Sequence, residues 1–340
     1  MKTIQSDQSG IAHVTVILSV VVLTAVGLGG WRVWQSQNST KSAKSIPAIS
    51  TPGKKADTTS TALPTKISVA KAGELTLPNG HADPTVVPTK TGYRMYVNHQ
   101  GGQSGQSGIM IYTSTDGIKW DKEKDIIIPG ASTSRAVVLE SGIRLYYPGP
   151  QPIKVGAPRA DMYSTSSADG LTFTKDPGTV IQPRSDAYYV EGPTVFQLAD
   201  KTWRMYFNEN TVAAAMQRDG EIWGASSVDG TTWKRDDKVT MQAGEEESQV
   251  GNMKAPWKQL LHPFVLKNPK GGYIMFYNSH SEMYAATSTD GLTWKKIGKI
   301  GIHGADMDGY FQADGTIRVY YGDYSPATGG LVYTATLKVQ

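Results

Sequence analysis

Apolar and aromatic residues alternate with polar ones in short runs along most of this chain, and the runs recur. Tyr93-Arg94-Met95-Tyr96-Val97-Asn98 is matched by Trp203-Arg204-Met205-Tyr206-Phe207-Asn208 and by Tyr273-Ile274-Met275-Phe276-Tyr277-Asn278, with looser copies at residues 143–147 and 317–321. Period-two alternation of aromatic and aliphatic residues predicts strands. A second strand precedes each copy, at residues 85–87, 136–139, 194–196, 264–266 and 310–312. A third run, such as Ile109-Met110-Ile111-Tyr112, follows four of the copies and leads into Ser-x-Asp-Gly-x-x-Trp or Phe, at residues 114–120, 167–173, 227–233 and 288–294. Asp-Gly between apolar runs predicts a tight hairpin, because Gly supplies the positive φ that the turn needs. Five units of about 55 residues, all strand and turn, predict an all-β fold, a five-bladed β-propeller over residues 67–340. The fifth unit lacks the final Asp-Gly hairpin and stops at Val339-Gln340. Residues 67–77 are expected to supply its outer strand and close the ring, which removes a sheet edge.

A four-stranded meander fixes which residues share a face. The starts of the first strands and the ends of the second strands lie at one mouth; the Asp-Gly turns lie at the other. Asp116, Asp169, Asp229 and Asp290 are therefore read as structural, capping their own turn amides. The mouth receives His81, Asp83, Arg135, Glu191, His262 and Asp308 from the first strands, and Asn98, Asn208, Asn278 and His280 from the second. Asp83 and Glu191 stand two blades apart across a narrow channel, a placement that suits a carboxylate pair on either side of a glycosidic bond. One member must be ionised as base and the other protonated as acid. The remaining eight are candidate substrate-binding residues, and Tyr188, Tyr189, Trp257 and Tyr310 are expected to stack on sugar rings. Residues 236–261, with Glu245-Glu246-Glu247, form an insert between units three and four on the same face, read either as a rim loop or as a solvated loop.

Charge changes the picture mainly at the N-terminus. Residues 1–66 carry a net charge of +5 and the remainder −1, so the body has no basic excess for phosphate contacts and a nucleic-acid partner is excluded. There is no Cys, hence no disulfide framework and no thiolate chemistry. After a short tail, residues 1–10, residues 11–31 contain no Asp, Glu, Lys or Arg. As a helix they would span about 31 Å, enough to cross a bilayer core, and no small-x-small cleavage site follows. They are read as a single-pass membrane anchor. Residues 35–66, rich in Ser, Thr, Lys, Ala and Pro, are read as a disordered linker, with the propeller on the extracytoplasmic side of the cell membrane, as a monomer. The His and Asp spacing assigns no metal ligands and no cofactor, and no Gly-rich phosphate loop is present.

The five units, the Ala82-Asp83-Pro84 opening and Glu191-Gly192-Pro193 resemble the five-bladed propeller glycosidases, namely glycoside hydrolase family 43 and its arabinanase, levansucrase and invertase relatives. The resemblance covers residues 75–337. It implies a carbohydrate ligand, with Asp83 as general base and Glu191 as general acid in an inverting hydrolysis. The invertase branch fits less well, since its Asn-Asp-Pro-Asn-Gly and Glu-Cys-Pro motifs are absent. The Asp-Gly repeats are similar to the sialidase Asp-box, which however has one residue between Asp and Gly. Some of these relatives hold a calcium ion at the axis, and by resemblance that ion is an option here. The departure is in unit two, where the family has a third aspartate and this chain has Arg135. A cation there would lower the pKa of Glu191, the wrong direction for an acid. Either Asp161, Asp186 or Asp308 replaces the missing carboxylate, or Arg135 recognises an anionic ligand as in a phosphorylase, or the mouth binds glycans or proteins without hydrolysing them.

Overall fold

The computed structural model describes residues 62–100, 106–149, 159–210, 220–250, 253–254, 258–323 and 330–340. The expected tail, the anchor at 11–31 and most of the linker lie outside these residues, as does Trp257. Among the described residues no helix is long and apolar enough to cross a membrane.

The chain enters through β1 (Ile67–Leu77). Blade one follows as β2 (His81–Thr89), β3 (Gly92–His99), β4 (Gly108–Ser114) and β5 (Asp121–Pro129). Blade two is β6 (Arg135–Leu139), β7 (Gly142–Pro148), β8 (Met162–Ser167) and β9 (Thr174–Lys175). Blade three is β10 (Tyr189–Gln197), β11 (Trp203–Asn210), β12 (Gly220–Ser227) and β13 (Lys234–Arg235). A two-stranded hairpin, β14 (Gln249–Val250) and β15 (Met253–Lys254), precedes blade four, which is β16 (Leu261–Lys267), β17 (Tyr273–Ser279), β18 (Glu282–Ser288) and β19 (Lys295–His303). Blade five is β20 (Ala305–Phe311), β21 (Ile317–Asp323) and β22 (Leu331–Val339), completed on its outer side by β1. Ile67 pairs with Val339, so the first and last strands of the domain lie side by side and the ring is closed as expected.

The repeated motif turns out to join blades rather than to make tight hairpins. Six residues separate β4 from β5, so the two-residue turn expected from Asp-Gly is not formed. Instead the Asp116 carboxylate accepts the amides of Ile118 and Lys119, while the Ser114 hydroxyl accepts the amide of Gly117. The same bonds recur at Asp169, Asp229 and Asp290. Those amides hold all four carboxyls below the usual carboxylate range. The Gly carbonyl then accepts a tyrosine hydroxyl from the second strand of the preceding blade. Tyr96 bonds Gly170 (2.8 Å), Tyr146 bonds Gly230 (2.6 Å), Tyr206 bonds Gly291 (2.6 Å) and Tyr320 bonds Gly117 (2.6 Å). The aromatic that ends each motif (Phe173, Trp233, Trp294, Trp120) meets the same tyrosine edge-on, at 5.6–6.0 Å between ring centres. Blade four carries Phe276 at this register position, and blade five, which it faces, has as its two outer strands β22 and β1, the last and first of the domain, which no Ser-x-Asp-Gly turn joins. Ser, Asp, Gly and the aromatic are thus one device that latches neighbouring blades at four of the five junctions.

Candidate functional site

Each innermost strand begins with a kink, and the kinks build the site. Residues in the left-handed region stand at equivalent places in all five blades: Asp83 (φ 53°), Thr133 (φ 40°), Gly192 (φ 57°), His262 (φ 50°) and Asp306 (φ 54°). In four blades the ladder to the second strand slips at this point, between Ala82 and Thr85, Glu191 and Thr194, Leu261 and Phe264, and Ala305 and Asp308. Such bulges re-aim side chains. Positive φ on Asp, His and Thr costs about 1–3 kcal/mol each and tends to gather at functional sites. Blade three needs glycine here, since a Cβ on Gly192 would stand 2.5 Å from His262 Cδ2 and 2.8 Å from Asn208 Oδ1.

Asp83 is buried, and three donors converge on its Oδ2: the Asn98 amide and the Thr133 backbone amide at 3.0 Å each, and the Thr133 hydroxyl at 3.3 Å. Glu191 is 1% exposed, and its Oε1 accepts the side-chain amides of Asn210 (2.8 Å) and Asn208 (3.1 Å). Asn208 also accepts the His262 backbone amide at 3.0 Å, which ties blade three to blade four at this level. His262 Nε2 lies 3.6 Å from Glu191 Oε1, and its Nδ1 is in direct contact with Asp306 Oδ1. Asp306, 2% exposed, is joined to Asp83 by a side-chain hydrogen bond. Burial, followed by the charges of Asp83 and Glu191, holds the Asp306 carboxyl well above the usual carboxylate range. Asp83, Asp306, His262 and Glu191 therefore form one buried cluster from blades one, five, four and three.

One layer deeper, the slot two residues after each kink holds Thr85, Arg135, Thr194, Phe264 and Asp308. Thr85 Oγ1 accepts the Ala136 amide and Thr194 Oγ1 the Val265 amide, so this layer also binds neighbouring blades together. Arg135 crosses it: Nη1 donates to Asp308 Oδ2 at 2.5 Å, Nε to the Pro193 carbonyl and Nη2 to the Met307 carbonyl at 3.2 Å each, with Phe264 under the guanidinium. Both members of the pair are about 95% buried. Arg135 and Asp308 were expected to line the ligand site; they pair with each other one layer below the cluster. They also bound a cavity of about 210 Å³ with Val86, Val137, Thr194 and Phe264.

Other expected binding residues fall elsewhere. His81 turns away from the cluster: Nδ1 meets the Pro78 carbonyl (3.0 Å), Nε2 meets the Tyr112 hydroxyl (2.9 Å), and burial keeps its pKa low and the ring neutral. Its position two residues before Asp83 puts it ahead of the bulge, and both ring nitrogens are engaged. Asn278 holds the register position of Asn98 and Asn208, and is buried, while His280 lies on the β17–β18 turn beside Gln259. Tyr310 stacks on Tyr93 near Gly117, at the face opposite the cluster, and Tyr189 is fully buried, so neither offers a face to a sugar. Asp161 faces Gln182, and Asp186 is largely exposed beside Arg184, so neither replaces the third carboxylate. Asp306 was the missed residue. Aligning Asp83-Pro84-Thr85 and His262-Pro263-Phe264 with Asp306-Met307-Asp308 would have found it. In its described residues the insert is not solvated throughout. Glu247 is buried and accepts Gly244 N and Lys296 Nζ at 2.7 Å and Tyr277 Oη at 3.1 Å, which pins the insert to blade four. Among the described residues no group of three or more His, Asp or Glu is arranged to hold a metal ion.

Comparison with known proteins agrees with this architecture. No protein-family model and no curated protein matches the sequence. Solved structures do match the fold. A thermostable family-43 glycoside hydrolase superposes with a TM-score of 0.62 at 15% identity, over 80% of this chain and 96% of that one. An endo-arabinase from Bacteroides thetaiotaomicron gives 0.59 at 16% identity, over 78% and 98%. A family 117 glycoside hydrolase from Zobellia galactanivorans gives 0.57 at 12% identity, over 81% and 90%. The chain has the five-bladed propeller fold of these glycosidases.

Proposed function

We propose that the chain is a glycoside hydrolase that cleaves a glycan at the mouth of the propeller, with Asp83 as general base and Glu191 as general acid. What carries this reading is the convergence of buried carboxyls from three blades on one point of the axis. Elsewhere in the described propeller the buried carboxylates Glu209, Glu247 and Asp308 are each paired with a cation, whereas this cluster gathers three acids around one imidazole. The fold of the family-43 and family-117 structures supports the reading by analogy. In the mechanism, Asn98 and Thr133 hold Asp83 by one oxygen and fix its orientation toward a water molecule. Glu191, gripped by two asparagine amides, delivers a proton to the leaving oxygen. A site this dry strengthens every electrostatic contact made to developing charge. Water attacks the anomeric carbon, its proton passes to Asp83, and the bond to the leaving oxygen breaks as that oxygen takes the Glu191 proton.

A non-catalytic glycan-binding propeller is the second reading, favoured by Arg135 in the slot where the family has its third aspartate. A phosphorylase is disfavoured, since the guanidinium expected to hold phosphate is committed to Asp308 and two carbonyls. The proposal extends to the location: a monomer anchored through residues 11–31, with the propeller outside the cytoplasm, supported by the uncharged stretch and the Ser/Thr/Pro-rich linker. The purified chain should hydrolyse at least one member of a panel of aryl glycosides and polysaccharides. Asp83→Asn and Glu191→Gln should each lower kcat by 10²-fold or more, as expected when acid–base catalysis is lost. Proton NMR of the first anomer released then reads the stereochemistry. Glycan binding without turnover would refute the hydrolase and leave the binding module.

A further inference from the structure

We propose that Asp306 is a positioning residue of this site: a third carboxyl, supplied by blade five rather than blade two, which bonds to Asp83 and is braced by His262. The assignment rests on the hydrolase reading for its catalytic meaning, while its physical content stands apart from it. The geometry is fourfold. Asp306 occupies in blade five the kinked place that Asp83 occupies in blade one, with nearly the same φ. It is buried, hydrogen-bonded to Asp83 and in contact with His262 Nδ1. Charged or titratable groups face it from four elements: Asp83 from β2, Glu191 from β10, His262 from β16 and, one layer down, Arg135 from β6. Two acids and a neutral or singly charged imidazole cannot neutralise a third carboxylate in so dry a place, and Arg135 is already spent on Asp308.

Asp306 therefore keeps its proton at neutral pH, donates it in the bond to Asp83, and leaves Asp83 as the ionised member of the pair. His262, whose Nδ1 touches Asp306 Oδ1 and whose Nε2 faces Glu191 Oε1, stands between these two acids. The departure in blade two is compensated from blade five, which carries an acid at the kink, Asp306, as well as Asp308 in the deeper slot.

Infrared spectroscopy of the full chain, with and without carboxyl-¹³C aspartate, tests this without a substrate. At pH 7 the wild type should show a protonated carboxylic acid band that moves on aspartate labelling. Asp306→Asn should lose the band and Asp308→Asn should keep it. In Asp83→Asn the band should disappear at a lower pH than in wild type, because a neighbouring negative charge has gone; this arm serves if Asp306→Asn does not fold. No labelled acid band at pH 7, a band that survives Asp306→Asn, or an unmoved midpoint in Asp83→Asn would overturn the assignment. On any aryl glycoside that the wild type cleaves, Asp306→Asn, which keeps a donor toward Asp83, should retain at least tenfold more kcat than Asp306→Ala; equal losses would overturn the positioning role. Failure of every glycoside to turn over would count against the hydrolase and leave the infrared result intact.

Discussion

Replacing Arg135 by methionine distinguishes an arginine that reads a ligand from one that ties blade two to blades three and five. The substitution keeps most of the side-chain volume and removes three donated bonds, to Asp308, Pro193 and Met307. Taking one partner from a buried ion pair typically costs about 3–5 kcal/mol, because the other charge is left unpaired. For a domain of this size that is a fall in Tm of roughly 6–20 °C. Asp308 can limit the loss by taking up a proton. Its carboxyl is already raised by burial, against the opposing pull of Arg135. A carboxyl that binds its proton more tightly when folded lowers stability as pH rises above the unfolded value, about 4. Without Arg135 it rises further, so the gap between variant and wild type should widen from pH 5 to pH 8. Urea unfolding followed by fluorescence of the eight tryptophans measures this. Arg135→Met/Asp308→Asn should recover at least half of the loss, since no buried charge remains. A single variant within about 1 kcal/mol of wild type that no longer binds glycan would refute the reasoning and return Arg135 to the ligand site.

Two further predictions concern the latches between blades. Tyr320→Phe removes the bond to Gly117 and should cost about 1–2 kcal/mol by urea unfolding, whereas Phe276→Tyr should also destabilise, because no Ser-x-Asp-Gly turn joins β22 to β1 to receive its new hydroxyl; a stabilised Phe276→Tyr would contradict the latch. Asp229 has its carboxyl depressed by the amides of Thr232 and Thr231, so its contribution to stability is present above the unfolded value near 4 and fades as pH falls below it. Asp229→Asn should flatten that part of the acid-stability curve, and an unchanged acid limb would show that the turn bonds are weaker than they look.

The chain's own pattern determined the number of blades, the order of strands in each, the outer strand brought from residues 67–77 and the face on which the repeated aspartates lie. All of these follow from period-two alternation and from a motif repeated four times, which are local properties. It also pointed to Asp83 and Glu191, since a residue at the start of an innermost strand must lie near the axis of any propeller. Tertiary structure decided which neighbours of those starts face the cluster. A single residue separates His81 from Asp83 and Asp306 from Asp308, yet in each pair only one reaches the cluster. The bulge that re-aims them is set by a left-handed kink, which Asp, Thr and His do not announce. The partnership of Arg135 with Asp308 spans 173 residues, and no spacing along the chain shows that two buried charges will meet across the axis instead of facing a ligand. Burial and closure of the ring put them there, and those are properties of the assembled sheets.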